Sequence, residues 1–174
     1  MFFDTHAHFD HRKFDSDRDA LLQSMPQKGI GLILNVGCDL SSSLKTVSLT
    51  QKYPFVYGAV GSHPDDAANV TEASLQMYRQ LASQPKIKAI GEIGLDYHYE
   101  DVPRAQQAPA FEAQLDLAES LHLPVIIHER EAHADAMAIL QNHPKAHGVF
   151  HCYSGSLEMA KWLIERGWYL GFTG

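Results

Sequence analysis

The sequence predicts an α/β fold built on a parallel sheet and, within that class, a (β/α) barrel. Three observations lead there. Short apolar runs alternate with amphipathic segments along the whole chain. The runs are almost continuously apolar, as in strands covered by helices on one side and core on the other. Residues able to do chemistry stand at the ends of the first, third, fourth, fifth and sixth runs. A barrel brings all strand ends to one mouth, whereas an open doubly wound sheet focuses its site on one switch point. No Gly-x-Gly-x-x-Gly follows the first run and no P-loop is present, which removes support for a nucleotide-binding open sheet.

The strand candidates are 1–5, 31–36, 56–61, 87–92, 124–128, 147–151 and 168–172. Helix candidates lie between them. Segment 17–28 carries Leu21, Leu22 and Met25; 42–52 carries Leu44, Val47 and Leu49; 72–84 carries Leu75, Tyr78 and Leu81. Segment 104–122 is the clearest, with Phe111, Leu115, Ala118 and Leu121 at helical spacing. Segment 132–142 carries Ala136, Ile139 and Leu140, and 157–166 carries Ala160, Leu163 and Ile164. Gly29 and Gly167 follow helix ends, where a left-handed residue costs little. Pro54, Pro85, Pro124 and Pro144 prevent helices from continuing.

The chain is 45% apolar and long enough for one domain, 1–174, with a real core. No apolar run reaches the ~18 residues of a membrane span, and Asp4 cuts short any secretory apolar region. Cys38 and Cys152 make no disulfide framework, so a reducing, cytoplasmic setting is expected, with Cys152 a packed free thiol. The formal charge of −7 argues against broad electrostatic binding to nucleic acid. A nucleic-acid substrate stays open, because a metal cluster adds local positive charge.

Candidate chemistry begins at Asp4-Thr5-His6-Ala7-His8. In an extended chain i and i+2 share a face, so His6 and His8 point together at a strand exit and suit one metal ion. Taken singly the pair reads first as a polar strand end, since among eleven histidines about 0.7 such pairs arise by chance. Downstream residues change the weighing. Glu92 follows a buried run, where a carboxylate must be paired with a cation or a metal. Gly91 and Gly94 beside it allow close approach of a backbone or a substrate. His128 and His151 end two consecutive apolar runs; either alone reads as a satisfied core histidine. Together with Glu92 they match a two-metal hydrolytic centre. His63 is a further site residue or a helix-entry polar group. Arg130 and Arg104 are candidate anion clamps, with Arg104 also readable as plain surface. Asp96 suits the role of a carboxylate that orients a ligating histidine.

Five stretches resemble the TatD-type metal-dependent deoxyribonucleases of the amidohydrolase-like superfamily. They are Asp4-Thr5-His6-Ala7-His8, Gly61-Ser62-His63-Pro64, Gly91-Glu92-Ile93-Gly94-Leu95-Asp96-Tyr97, Leu123 to Ala132, and His151-Cys152-Tyr153-Ser154-Gly155. The resemblance runs over the whole chain. It implies a distorted TIM-type barrel and two divalent metal ions: Zn²⁺ or Mn²⁺ on ligand grounds, Mg²⁺ on the family's. It implies His6 and His8 on one metal, Glu92 bridging, and His128 and His151 on the other. His63 would lie near the substrate phosphate. Glu92 and His63 are therefore the expected catalytic residues, and His63, with Arg130 as the anion clamp read above, is expected to bind substrate. The family pattern continues for about two more units, to an Asp ligand ending an eighth strand. The barrel is therefore expected to be truncated after about seven strands.

The expected function is hydrolysis of DNA phosphodiester bonds, a 3′-to-5′ exodeoxyribonuclease acting on single-stranded ends, with no membrane partner. Two alternatives stand beside it. One is a metal-dependent esterase such as a D-aminoacyl-tRNA deacylase. The other is an inactive metal-binding fragment lacking the last strand.

Overall fold

The computed structural model describes residues 1–99 and 101–173. Gly174, past the end of the strand candidate at 168–172, lies outside the described residues. Seven strands form one parallel sheet in sequence order: β1 (Phe2–Ala7), β2 (Ile30–Val36), β3 (Val56–Val60), β4 (Ile87–Asp96), β5 (Val125–Arg130), β6 (Gly148–His151) and β7 (Tyr169–Leu170). Between them run α1 (Arg18–Ser24), α2 (Leu40–Lys52), α3 (Glu72–Ala82), α4 (Arg104–Leu121), α5 (His133–Asn142) and α6 (Leu157–Glu165). The sheet is a curled, incomplete barrel: among the described residues β1 and β7 have one neighbour each. Sequential parallel neighbours and right-sized crossovers are what the alternating pattern demands.

The main core lies between the sheet's outer face and α2–α6. Ile90, Ile93, Leu95, Ile127, Phe111, Leu115 and Leu163 are fully or almost fully buried there. Truncating an aromatic such as Phe111 to Ala costs about 3–5 kcal/mol in such a place. A smaller cluster of Val36, Ala59, Ala89 and Ile126 marks the inner face. That face bounds an apolar cavity of about 650 Å³, lined in part by Leu34, Tyr57, Ile126 and Val149.

Several expectations need correction. The helix at 17–28 breaks: α1 stops at Ser24, and Pro26 opens a short 3₁₀ turn to Lys28, because its ring clashes with the preceding turn. Gly29 (φ 85°) then reverses the chain, and Gly167 (φ 82°) does the same after α6, both as expected. The helix expected from 42 starts at Leu40, because Asp39 and Ser42 form a reciprocal capping box. Leu44 is 46% exposed and Ile164 60% exposed; both sit off the buried stripe that Val47 and Leu163 define. Further 3₁₀ turns at Arg12–Phe14 and Pro64–Asn69 were not expected. The fourth strand continues to Asp96, so Glu92 lies inside β4 and not at its end. The fifth continues to Arg130, and the seventh covers only Tyr169–Leu170.

Candidate metal centre

Glu92 is the centre of the site. It sits where the β4–β5 register is irregular, between the Ile90–Val125 and Ile93–Ile127 pairs, and this turns its carboxylate into the barrel mouth. It is 4% exposed. Gly94 makes the next close approach: at φ 141° a Cβ there would fall 1.9 Å from the His128 carbonyl. The glycine therefore admits the neighbouring strand's backbone, which brings His128 level with Gly94 in the sheet.

Two groups of ligand-type atoms flank Glu92. In the first, His6 Nε2 and His8 Nε2 are 3.0 Å apart and lie 3.3 and 3.6 Å from Glu92 Oε2. The His8 Nδ1–H donates to the Val36 carbonyl at 2.8 Å. That bond fixes the tautomer and leaves the Nε2 lone pair facing His6 and Glu92. His6 Nδ1 is a buried polar atom without a hydrogen-bond partner among the described residues. Tetrahedral ligands at 2.0–2.1 Å from Zn²⁺ stand roughly 3.3 Å apart. The triangle of His6, His8 and Glu92 has that size, and its donor set suits a divalent ion.

The second group is His63, Glu92 and His128. His128 Nδ1 is 3.2 Å from Glu92 Oε1, and its Nε2 is 2.8 Å from Asp96 Oδ2. The His63 ring meets the His128 ring edge-on, with centroids 4.2 Å apart. His63 Nδ1 also accepts from the Asp65 N–H, so both readings of this residue, site member and helix-entry group, hold at once.

The charges follow from this packing. Burial pushes the Glu92 carboxyl up, but hydrogen bonds from His128 and His6 outweigh it and hold it well below the usual carboxylate range. Burial disfavours His128 imidazolium, yet contacts with Glu92 and Asp96 prevail and raise its pKa. His63 is lowered by burial and by the charge on His128. His151 falls to about 4, by burial and then by His6.

His151 reaches the same mouth, its ring stacked on His6 with centroids 3.4 Å apart. Its Nε2 faces Cys152 Sγ at 2.9 Å and lies in neither ligand group. Cys152, expected to be packed, is exposed and takes φ 49°. Arg130, paired in register with Asp96, lies over the Tyr99 ring. Arg104 is exposed and covers the Tyr97 ring.

Three supporting residues escaped the sequence reading. Gln107 and Gln114 stand seven apart on α4, two turns along one face. Gln107 grips the Asp96 backbone, accepting from its N–H and donating to its carbonyl, both at 2.8 Å. Gln114 grips Ser62 in the same manner at 2.7 and 3.0 Å. Both glutamines share the stripe of Phe111 and Ala118, and buried amides on an apolar stripe were the available signal. The third is Cys38, whose thiol lies 3.7 Å from His8 Nδ1 and 3.8 Å from Glu92 Oε2.

The family model for TatD-related DNases matches residues 3–174. The metal-dependent hydrolase YabD of Bacillus subtilis is 36% identical over 176 residues, covering 100% of this chain and 69% of the relative. The 3′-5′ ssDNA/RNA exonuclease TatD of Cronobacter turicensis is 37% identical, covering 99% of this chain and 66% of its own length. The crystal structure of YjjV, a TatD homologue from Escherichia coli K12, superposes with a TM-score of 0.89 at 34% identity, over 97% of this chain and 66% of that one. The chain thus spans about two thirds of the length of the relatives it matches. It belongs to the TatD-related DNase family of metal-dependent hydrolases.

Proposed function

We propose that this chain carries the metal centre of a phosphodiesterase that shortens single-stranded DNA from its 3′ end. One observation carries the reading: a buried, ionised Glu92 offers one carboxylate oxygen to His6 and His8 and the other to His128. Such a carboxylate suits two divalent ions, Zn²⁺, Mn²⁺ or Mg²⁺. When bound, they supply Lewis-acid polarisation of a phosphoryl oxygen and a more acidic water.

The chain's own residues do the rest. His6, His8 and Glu92 would hold one ion; Glu92 and His128 would hold the other, with His151 or His63 completing it. Asp96 keeps the His128 ring in place through Nε2. His63, kept neutral by burial and by His128, stands beside that ring; with Nδ1 accepting from the Asp65 N–H, its Nε2–H can donate to a substrate phosphate oxygen. Arg130 offers a planar fork to the phosphate. The relative named as a 3′-5′ ssDNA/RNA exonuclease supports the substrate class. No helix among the described residues is long and apolar enough to cross a membrane.

A metal titration of hydrolysis tests this, with 3′-labelled single-stranded DNA, 5′-labelled single-stranded DNA and a D-aminoacyl-tRNA assayed side by side. Metal-dependent loss of the 3′ label is expected. Release of the amino acid alone would give the site to an ester hydrolase, and no turnover with any metal would make the chain a metal-binding module.

A further inference from the structure

We propose that Tyr99 and Arg130 form a platform for one nucleobase and its adjoining phosphate, next to the metal centre. The proposal rests on the nucleic-acid reading above and names the subsite that reading lacks. Tyr99 is 52% exposed, a large aromatic left in solvent at the mouth of an otherwise well-buried β4 exit. Its position is fixed from within. The Tyr99 and His98 N–H groups both donate to Asp96 Oδ1, at 3.3 and 2.9 Å. Asp96 Oδ2 holds His128 Nε2 at 2.8 Å. One buried carboxylate therefore ties the aromatic to the metal-facing histidine, and Gln107 fixes the backbone of that carboxylate's residue.

Arg130 supplies the cation. It lies two residues beyond His128 on β5, hence on the same side of the strand. Its guanidinium carbon is 5.1 Å from the Tyr99 ring centre, and its NH1 donates to the Tyr99 hydroxyl at 3.4 Å. Stacking on a tyrosine accepts any base, while a guanidinium beside it takes the phosphate. This arrangement also answers the charge problem. A chain with 14 Lys and Arg against 21 Asp and Glu attracts a strand only through local contacts.

The neighbouring pair shows the contrast. Arg104 lies 4.1 Å from the Tyr97 ring centre, but Tyr97 is half-buried and its hydroxyl donates to Asp135 at 2.7 Å. Tyr97 is committed to the fold. Tyr99 spends its backbone on the fold, while its ring, touched by Arg130 and by the His98 ring, stays half exposed to solvent.

The test is equilibrium binding by fluorescence anisotropy, using a labelled single-stranded decamer with phosphorothioate linkages so that turnover does not consume the probe. A second decamer lacks its terminal 3′ base. Y99A is expected to bind the full decamer about tenfold more weakly than the original protein, within the range that base–aromatic stacking supplies. Y99F is expected to stay within about twofold, and the abasic decamer to bind the original protein as weakly as the full one binds Y99A. Metal content and circular dichroism should be unchanged in Y99A. Equal affinity of Y99A and the original protein would overturn the platform while leaving the nucleic-acid reading intact. A loss in Y99F matching that in Y99A would overturn the stacking role. No binding of the full decamer by the original protein would refute the nucleic-acid reading itself, and the platform with it.

Discussion

The two ligand groups beside Glu92 use the same chemistry on very different foundations. His6 lies in β1 and His8 just past its end; that strand has a neighbour on one side only among the described residues, and Phe2 and Phe3 at its start are 75% and 51% exposed. His128 comes from β5, paired on both sides, and His63 from the exit of β3. His128 is held at both ring nitrogens, whereas His6 has one nitrogen without a hydrogen-bond partner among the described residues. A site is precise when its supporting residues are themselves locked. The central group is preorganised by Asp96 and by the glutamine grips of α4; the edge group relies on the Val36 carbonyl, the Cys38 thiol, the His151 ring and Glu92.

The largest effect should come from removing what the two groups share. Glu92→Gln keeps the shape and deletes the charge, so both ions should weaken and hydrolysis of single-stranded DNA should fall by orders of magnitude. Metal content after gel filtration gives the independent readout. A variant that kept two ions and its activity would show that the centre lies elsewhere.

Asp96→Asn separates the groups. Loss of a carboxylate that orients a metal-binding histidine typically costs 10–100-fold in affinity. We expect that loss at the His128 side alone, in a chelator competition titration, with the His6–His8 side unchanged. Equal weakening of both would mean that the groups are not mechanically distinct. In the unsubstituted chain the same logic makes the ion retained longest on dialysis the one beside His128.

These contrasts were only partly legible in the sequence. Period and punctuation gave the element order, because apolar runs and helical stripes are local patterns. The His6–His8 pair was legible because a strand places i and i+2 together. Glu92 was legible as a carboxylate in a buried run. Its irregular register was not, since the offset is set by how β5 lies against Gly94, a contact 34 residues away in sequence. The grip of Gln107 on Asp96 is a tertiary bond between two polar residues that each look ordinary alone. Which histidine completes the group beside His128 also depends on side-chain direction, and no spacing rule supplies that.

Proton release gives a smaller and sharper measurement. His128 is shifted upward, so part of it is protonated near neutral pH, and a cation arriving there displaces that proton. His151, at about 4, and His63, also lowered, are already neutral at pH 7 and release none. Calorimetry of metal binding in buffers of different ionisation enthalpy should therefore show release from the His128 side that declines as pH rises and shrinks in Asp96→Asn. Release that grows with pH would reverse the sign assigned to His128.

The smallest effect should belong to Cys152, although it touches a histidine of the site. Its thiol lies 2.9 Å from His151 Nε2 and 3.2 Å from Thr173 Oγ1. Cys152→Ser replaces one weak donor and acceptor by a stronger pair, with a bond shorter by a few tenths of an ångström. The left-handed backbone at φ 49° costs serine about what it costs cysteine. Because the residue is exposed, water can fill any gap, and no buried group loses its partner. Metal content and hydrolysis should stay within about twofold of the original, since a retained hydrogen bond changes stability by less than about 1 kcal/mol. If Cys152→Ser instead fell as far as Glu92→Gln, the thiol and His151 would carry the chemistry, and the carboxylate-centred site would be wrong.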